Sequence, residues 1–212
     1  MKILFMRHGE SKSQAKQVET TAPDTLNELS ELGAEQVKAA AKKFHDNIDA
    51  VYSSPYNRTK ITANLFLDAL GLQQKVIIDD RLREIDYGYH DGKVARKADL
   101  EAVAIKQIAG DYEIRFGRTG ENKREIVTRL FDFVIDVFNN YGANKTILAV
   151  SHGRAISIFE HEFVEISKIV CKTSDICAEG GGTKNAHIKE FNLTEQHIEN
   201  MVRRLKVLNK TK

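Results

Sequence analysis

Arg7 and His8 follow directly on the apolar run KILFM at residues 2–6, and His152 closes a second such run, TILAVS at 146–151. A neutral histidine offers a nitrogen nucleophile, and arginine offers planar donors matched to phosphate oxygens. A third run, IDAVYS at 48–53, leads through two serines into a segment carrying Arg58. Taken singly, each residue is ordinary: a histidine at a strand end, an arginine on a helix, a turn at SHG. Together, two histidines and two arginines at the ends of three strands form a site for a dianion with a nucleophile inside it. A histidine attacks phosphorus only as the free base, and repulsion from Arg7 and Arg58 favours that form of His8 at neutral pH. The same guanidinium groups neutralise the equatorial oxygens of a transferring phosphoryl group, a task given to Mg²⁺ in many other sites, so the pattern requires no catalytic metal.

Those ends converge only if the runs are strands of one sheet, because ligands in open α/β sheets bind beyond the carboxyl ends of the strands. Short β-rich runs alternate here with longer segments of helical period, the pattern of an α/β fold with a largely parallel sheet. Strands are predicted at KILFM (2–6), IDAVYS (48–53), KVII (75–78), TILAVS (146–151) and AHIKEFNL (186–193). Val37, Ala40, Ala41 and Phe44 repeat at helical spacing behind Ser30, which predicts a capped helix over about 31–45. Within 53–71, Ser54 can cap, Pro55 suits the first helical position and Gly71 suits the end, so Arg58 falls in the first turn. An amphipathic helix is predicted at 121–141 on Ile126, Leu130, Val134, Val137 and Tyr141, and another from just after SHG through Phe159 and Phe163. Residues 79–119 are the least regular stretch, which inside a compact domain points to a functional loop or lid.

Length and charge narrow the reading further. At 212 residues the chain suits one α/β domain over 1–212, with about 93–119 as an inserted lid. Lysine and arginine number 32 against 30 acidic residues, so the bulk charge calls for neither nucleic acid nor an anionic membrane, and any anion binding is local. Without a long apolar run or a secretory signal, the expected location is the cytoplasm. Cys171 and Cys177, separated by five residues, fit neither a zinc knuckle nor a CxxC pair and read as reduced structural residues. Neither has an arginine six positions on, as a cysteine phosphatase requires, and no GxxxxGKS/T phosphate loop is present. FEHEF (159–163) lacks the HExxH spacing and reads as a helix face, EGGGTK (179–184) as a flexible loop, and RRLK near the C-terminus as a solvated helix end.

Six segments in order carry a family resemblance: RHGES (7–11), LSELGAEQ (29–36), VYSSPYNRTKITA (51–63), LREIDYGYHDG (82–92), TGENKREIVTR (119–129) and VSHG (150–153). The chain resembles the histidine phosphatase superfamily, which includes the phosphoglycerate mutase-like enzymes, over most of its length. The resemblance implies a mostly parallel central sheet with helices on both faces and an inserted lid. It implies that His8 is the nucleophile that takes the phosphoryl group, and that Arg7, Arg58 and His152 complete the phosphate pocket. Glu84 resembles the acid that protonates the leaving oxygen, for which it must itself carry a proton. His152 is expected to be cationic, or to become so when phosphate binds. Gln14 stands where the mutases carry a phosphate-contacting amide, often asparagine; Ser11 and Ser54 are further candidates for phosphate contacts.

The family's two chemistries differ in where the phosphohistidine sends its group: to water in a phosphatase, to a second hydroxyl in a mutase. Mutases carry a longer insertion rich in arginine and proline after the LxE segment, whereas 93–119 here is compact and has no proline. VSHG in place of the mutases' common AHG points the same way, toward metal-independent hydrolysis of a small-molecule phosphate ester with no cofactor. A mutase would need 2,3-bisphosphoglycerate as primer. A catalytically silent phosphoanion-binding module is the third reading, set against the presence of His8, His152, Arg7, Arg58 and Glu84 together. Two departures from the family pattern are Thr119 where a proline often precedes GE, and Arg154 where a small residue usually follows SHG. Lys93, Arg96, Arg115, Arg118 and Arg154 are candidate grips for a second acidic group on the substrate.

Overall fold

The computed structural model describes residues 1–16, 28–88, 102–103, 105–107, 110–168 and 184–210. The strands are β1 (Lys2–Arg7), β2 (Ala50–Ser53), β3 (Val76–Ile78), β4 (Thr146–Ser151) and β5 (Ile188–Asn192), at the five predicted places. They form one sheet in the order β3-β2-β4-β1-β5, parallel throughout except for β5, which runs antiparallel to β1. The helices with defined bounds are α1 (Lys12–Ala15), α2 (Glu31–Lys42), α3 (Asn57–Leu70), α4 (Lys123–Tyr141), α5 (Gly153–Lys168) and α6 (Glu195–Lys210).

Alternation along the strands divides the apolar residues between two layers. Leu4 and Met6 of β1, Val51 of β2 and Leu148 and Val150 of β4 pack with Val37 and Ala41 of α2 and with Ala63, Phe66 and Leu67 of α3. On the opposite face, Ile3, Phe5, Tyr52, Ile147 and Ala149 meet α4, α5 and α6. Phe159 of α5 is the hinge of that second core, 4.8 Å from Phe5 and 5.0 Å from Phe191 between ring centroids. Each such buried ring or branched aliphatic contributes about 1.5–3 kcal/mol relative to exposure. The helices on both faces therefore follow from the strands' period of two.

Helix ends depart from expectation in instructive ways. Ser30 caps α2 as predicted, accepting from the Gly33 N–H, but the helix stops at Lys42, three residues short of the expected end. Gly71 ends α3 in the left-handed conformation, whereas the predicted start at Ser54 and Pro55 is wrong: the N-cap is Tyr56, without a side-chain cap. Ser54 is still engaged with the sheet there, its N–H donating to the Val150 carbonyl at 3.0 Å. Asn122 and Glu125 form a capping box that starts α4 at Lys123, leaving Glu121 outside the helix. The RRLK stretch belongs to the 16-residue α6, which docks Met201 and Leu208 into the core and is more than a solvated end. Cys171, Cys177 and nearly all of EGGGTK lie outside the described residues. Among the described residues, no helix is long and apolar enough to cross a membrane.

Candidate active site

Sheet register brings the two histidines level. Arg7 of β1 pairs with Ser151 of β4, so His8 and His152 each stand one residue beyond the same rung. Pairing runs on past the strands: the His8 N–H donates to the Ser151 carbonyl at 3.1 Å. Beyond His8 the chain passes so close to α2 that a Cβ on Gly9 would lie 2.4 Å from the Gly33 carbonyl oxygen, and one on Gly33 would lie 2.1 Å from that of Glu10. Thr62 of α3 secures the turn, accepting from the Gly9 N–H at 3.1 Å and donating to the Arg58 carbonyl at 2.7 Å.

Arg58, in the first turn of α3, reaches both imidazoles. Its Nε donates to His8 Nε2 and to His152 Nδ1, each at 3.2 Å, and one terminal nitrogen lies 3.1 Å from the same His152 Nδ1. The ring centroids are 5.2 Å apart. These contacts define the protons. His8 Nδ1–H donates to the Gly9 carbonyl at 2.6 Å, which leaves the lone pair on Nε2. His152 accepts on Nδ1 and so donates from Nε2 to Ser54 Oγ at 2.8 Å. Burial first, then the charges of Arg58 and Arg7, hold His8 well below the ordinary imidazole pKa. Burial acts first on His152 too, followed by Arg58, and the ring accepts from Arg58 on Nδ1, which argues against a standing cation and leaves the other expectation, a proton taken up when phosphate binds, as the compatible one.

The N-terminus of α5 gathers the remaining members. The His152 carbonyl accepts the helical bond from Ile156 at 3.0 Å. Gly153 faces Arg7, whose Cζ would lie 3.1 Å from a Cβ at that position. Glu84 is buried beside the same helix end, its Oε1 accepting from the N–H groups of Ala155 at 3.1 Å and Ile85 at 3.0 Å. The N–H groups of the helix end thereby fix where that carboxyl stands. His8, Arg58, His152, Arg7 and Glu84, separated by up to 145 positions in sequence, are thereby joined through direct contacts and one helix end.

Other sequence candidates sit differently. The Ser11 hydroxyl caps α1, accepting from the Gln14 N–H at 3.2 Å and pairing with Ser13 at 2.9 Å. Gln14 Oε1 completes the capping box and accepts from Asn185 at 2.9 Å. Arg154 is partly buried, with its Cζ 5.7 Å from the centre of the Tyr87 ring. Arg115 is held in a two-pronged ion pair by Glu125, which answers its charge, and exposed Arg118 adopts a left-handed φ of 67° in its turn. Lys93 and Arg96 lie outside the described residues.

Sequence reasoning missed Tyr56, whose ring lies 5.2 Å from that of His152 and 4.9 Å from Arg58 Cζ. It also missed Thr62 and Asn185; Thr62 stands one helical turn after Arg58, a spacing that could have marked it as a support. Among the described residues, no group of three or more His, Cys, Asp or Glu side chains could hold a metal ion.

Residues 3–171 match a family model described as the histidine phosphatase superfamily (branch 1). A protein of Hydrogenobacter thermophilus provisionally named phosphoserine phosphatase 2 is 30% identical over 215 positions, covering 99% of this chain and 96% of that protein. Phosphoserine phosphatase 1 of the same organism is 29% identical over 72% of this chain and 71% of its own length. Among solved structures, a mycobacterial glucosyl-3-phosphoglycerate phosphatase in complex with VO3 superposes with a TM-score of 0.71 at 22% identity, covering 93% of each chain, a likeness of fold.

Proposed function

Because this chain belongs to the histidine phosphatase superfamily, we propose that it hydrolyses small phosphomonoesters through a phosphohistidine on His8. The observation that carries this reading is the 3.2 Å contact from Arg58 Nε to His8 Nε2, on a ring whose other nitrogen is tied to the Gly9 carbonyl. A nucleophilic lone pair and a phosphate-matched donor thus share one buried point. When the ester dianion enters, the donors of Arg7, Arg58 and His152 turn to its oxygens, and the arriving negative charge favours a proton on His152. His8 Nε2 attacks phosphorus, a P–N bond forms as the P–O ester bond breaks, and Glu84 gives its proton to the leaving oxygen. Glu84 then takes a proton from water, whose oxygen attacks phosphorus; the P–N bond breaks and phosphate leaves, with both residues restored. Neither step uses a metal ion or a cofactor.

The two Hydrogenobacter relatives are named for phosphoserine, an ester that bears a carboxylate. A substrate of that class needs a cation outside the phosphate pocket, and Arg154 is our assignment: its backbone N–H lies 3.5 Å from Glu84 Oε2, at the leaving-group side of the site. The test is phosphate release in excess EDTA from p-nitrophenyl phosphate, phosphoserine, 3-phosphoglycerate and sugar phosphates, with His8→Ala as control. Metal-independent release that is lost in His8→Ala is the expected result. Release that survives the substitution would remove His8 as nucleophile.

A further inference from the structure

Glu84 lies on an irregular stretch, residues 84–87, although a proton donor must be placed to a fraction of an ångström. The stretch is held from α4 and the turn before it. Arg129 Nη1 donates to the carbonyls of Arg81 and Arg83 at 2.6 and 2.9 Å. The other face of that guanidinium pairs with Glu121 at 2.9 and 3.1 Å. Glu121 in turn accepts from the Asp86 N–H at 3.0 Å and from the Arg83 side chain at 2.7 Å, and its own N–H donates to the Asp86 carbonyl at 3.0 Å. Backbone groups on both sides of Glu84 are therefore fixed by one ion pair whose two side chains are each only 8% exposed.

A buried ion pair is a poor source of net stability, since well-packed apolar residues of the same volume do as well or better. What an apolar pair cannot do is fasten two carbonyls and an N–H in fixed directions. We infer that Glu121 and Arg129 are positioning residues that set the Glu84 carboxyl against the leaving oxygen, an inference that rests on the reading of Glu84 as the acid.

The test compares p-nitrophenyl phosphate, whose leaving group needs no proton, with phosphoserine or whichever alkyl ester of the panel is hydrolysed fastest. Glu84→Gln, Glu121→Gln and Arg129→Lys are assayed singly, and the last two also on the Glu84→Gln background, with folding checked by circular dichroism. Misplacing the acid should lower kcat/KM, which reports only the steps up to departure of the leaving group, by about ten- to a hundredfold for the alkyl ester and leave it within about threefold for the aryl ester. On the Glu84→Gln background either substitution should add less than about twofold. Equal losses on both esters, or losses that multiply with Glu84→Gln, would overturn the inference as a merely structural effect. If Glu84→Gln itself lowers kcat/KM for both esters alike, the acid reading fails first and the inference falls with it. Should Arg129→Lys not fold, the isosteric Glu121→Gln carries the same comparison.

Discussion

His8 presents its Nε2 lone pair to a guanidinium, and that sets how it titrates. Burial, then Arg58, then Arg7 hold the ring well below its ordinary pKa of 6.5, so the free base persists through neutral pH. The expected kcat/KM profile therefore keeps its level as pH falls through 6.5, with its acid limb displaced below that value. Arg58→Ala should cost about a hundred- to a thousandfold in kcat through lost phosphate stabilisation, and should move the acid limb upward as one of the repelling charges goes. A wild-type limb centred at the ordinary imidazole value and unmoved by the substitution would contradict this origin. The pairing of arginine with histidine was legible because both types are needed at one strand end. The neutral state of His152 was not, because it depends on burial and on which nitrogen meets Arg58, and neither has a signature in sequence.

Between elements, two joints decide whether the site keeps its shape. At Gly33 of α2 a methyl group would collide with the Glu10 backbone at 2.1 Å, and a backbone oxygen cannot swing aside as a side-chain tip can. Gly33→Ala should push the turn after His8 away from α2, lowering kcat together with thermal stability; an unchanged crystal position of His8 with full activity would refute the close-approach argument. The second joint is Glu162 of α5, fully buried, which binds Lys123 of α4 at 2.7 Å and Arg204 of α6 at 3.0 Å and accepts from the Tyr112 hydroxyl. Burial opposes its charge, yet Lys123, Tyr112 and Arg204 outweigh that and hold the carboxyl below the usual range. Glu162→Gln takes the countercharge from the buried Lys123 and should cost about 3–5 kcal/mol of unfolding free energy, read by denaturant titration. The strands that carry the site were legible from apolar runs without helical period. The start of α3 was not, because Ser54 has the right type for a cap yet its hydroxyl is taken by His152 and its N–H by β4, a competition visible only once the sheet is assembled.

Taken over the whole molecule, the groups that serve the site also set its tolerance of acid. His8 and His152 are held below 6.5 by burial and by guanidinium charge, and His197 is lowered by burial where its ring lies 5.0 Å from that of Phe163. The unfolded chain takes up these protons near 6.5 while the folded chain does not, so stability is whole above that pH and falls below it. The slope approaches about 1.4 kcal/mol per pH unit for each buried histidine until its folded-state pKa is reached. Glu162 has the same sign in a lower window: its stabilising charge is present above about 4.5 and is lost as pH falls further. Two successive losses are expected in the urea midpoint, the first on acidifying below 6.5 and the second below 4.5. His8→Ala combined with His152→Ala should flatten most of the first step and leave the second in place. A wild-type midpoint that stays level from pH 7 to about 5.5 would show that the imidazoles titrate normally in the folded chain, and would remove the electrostatic ground for His8 as a free base.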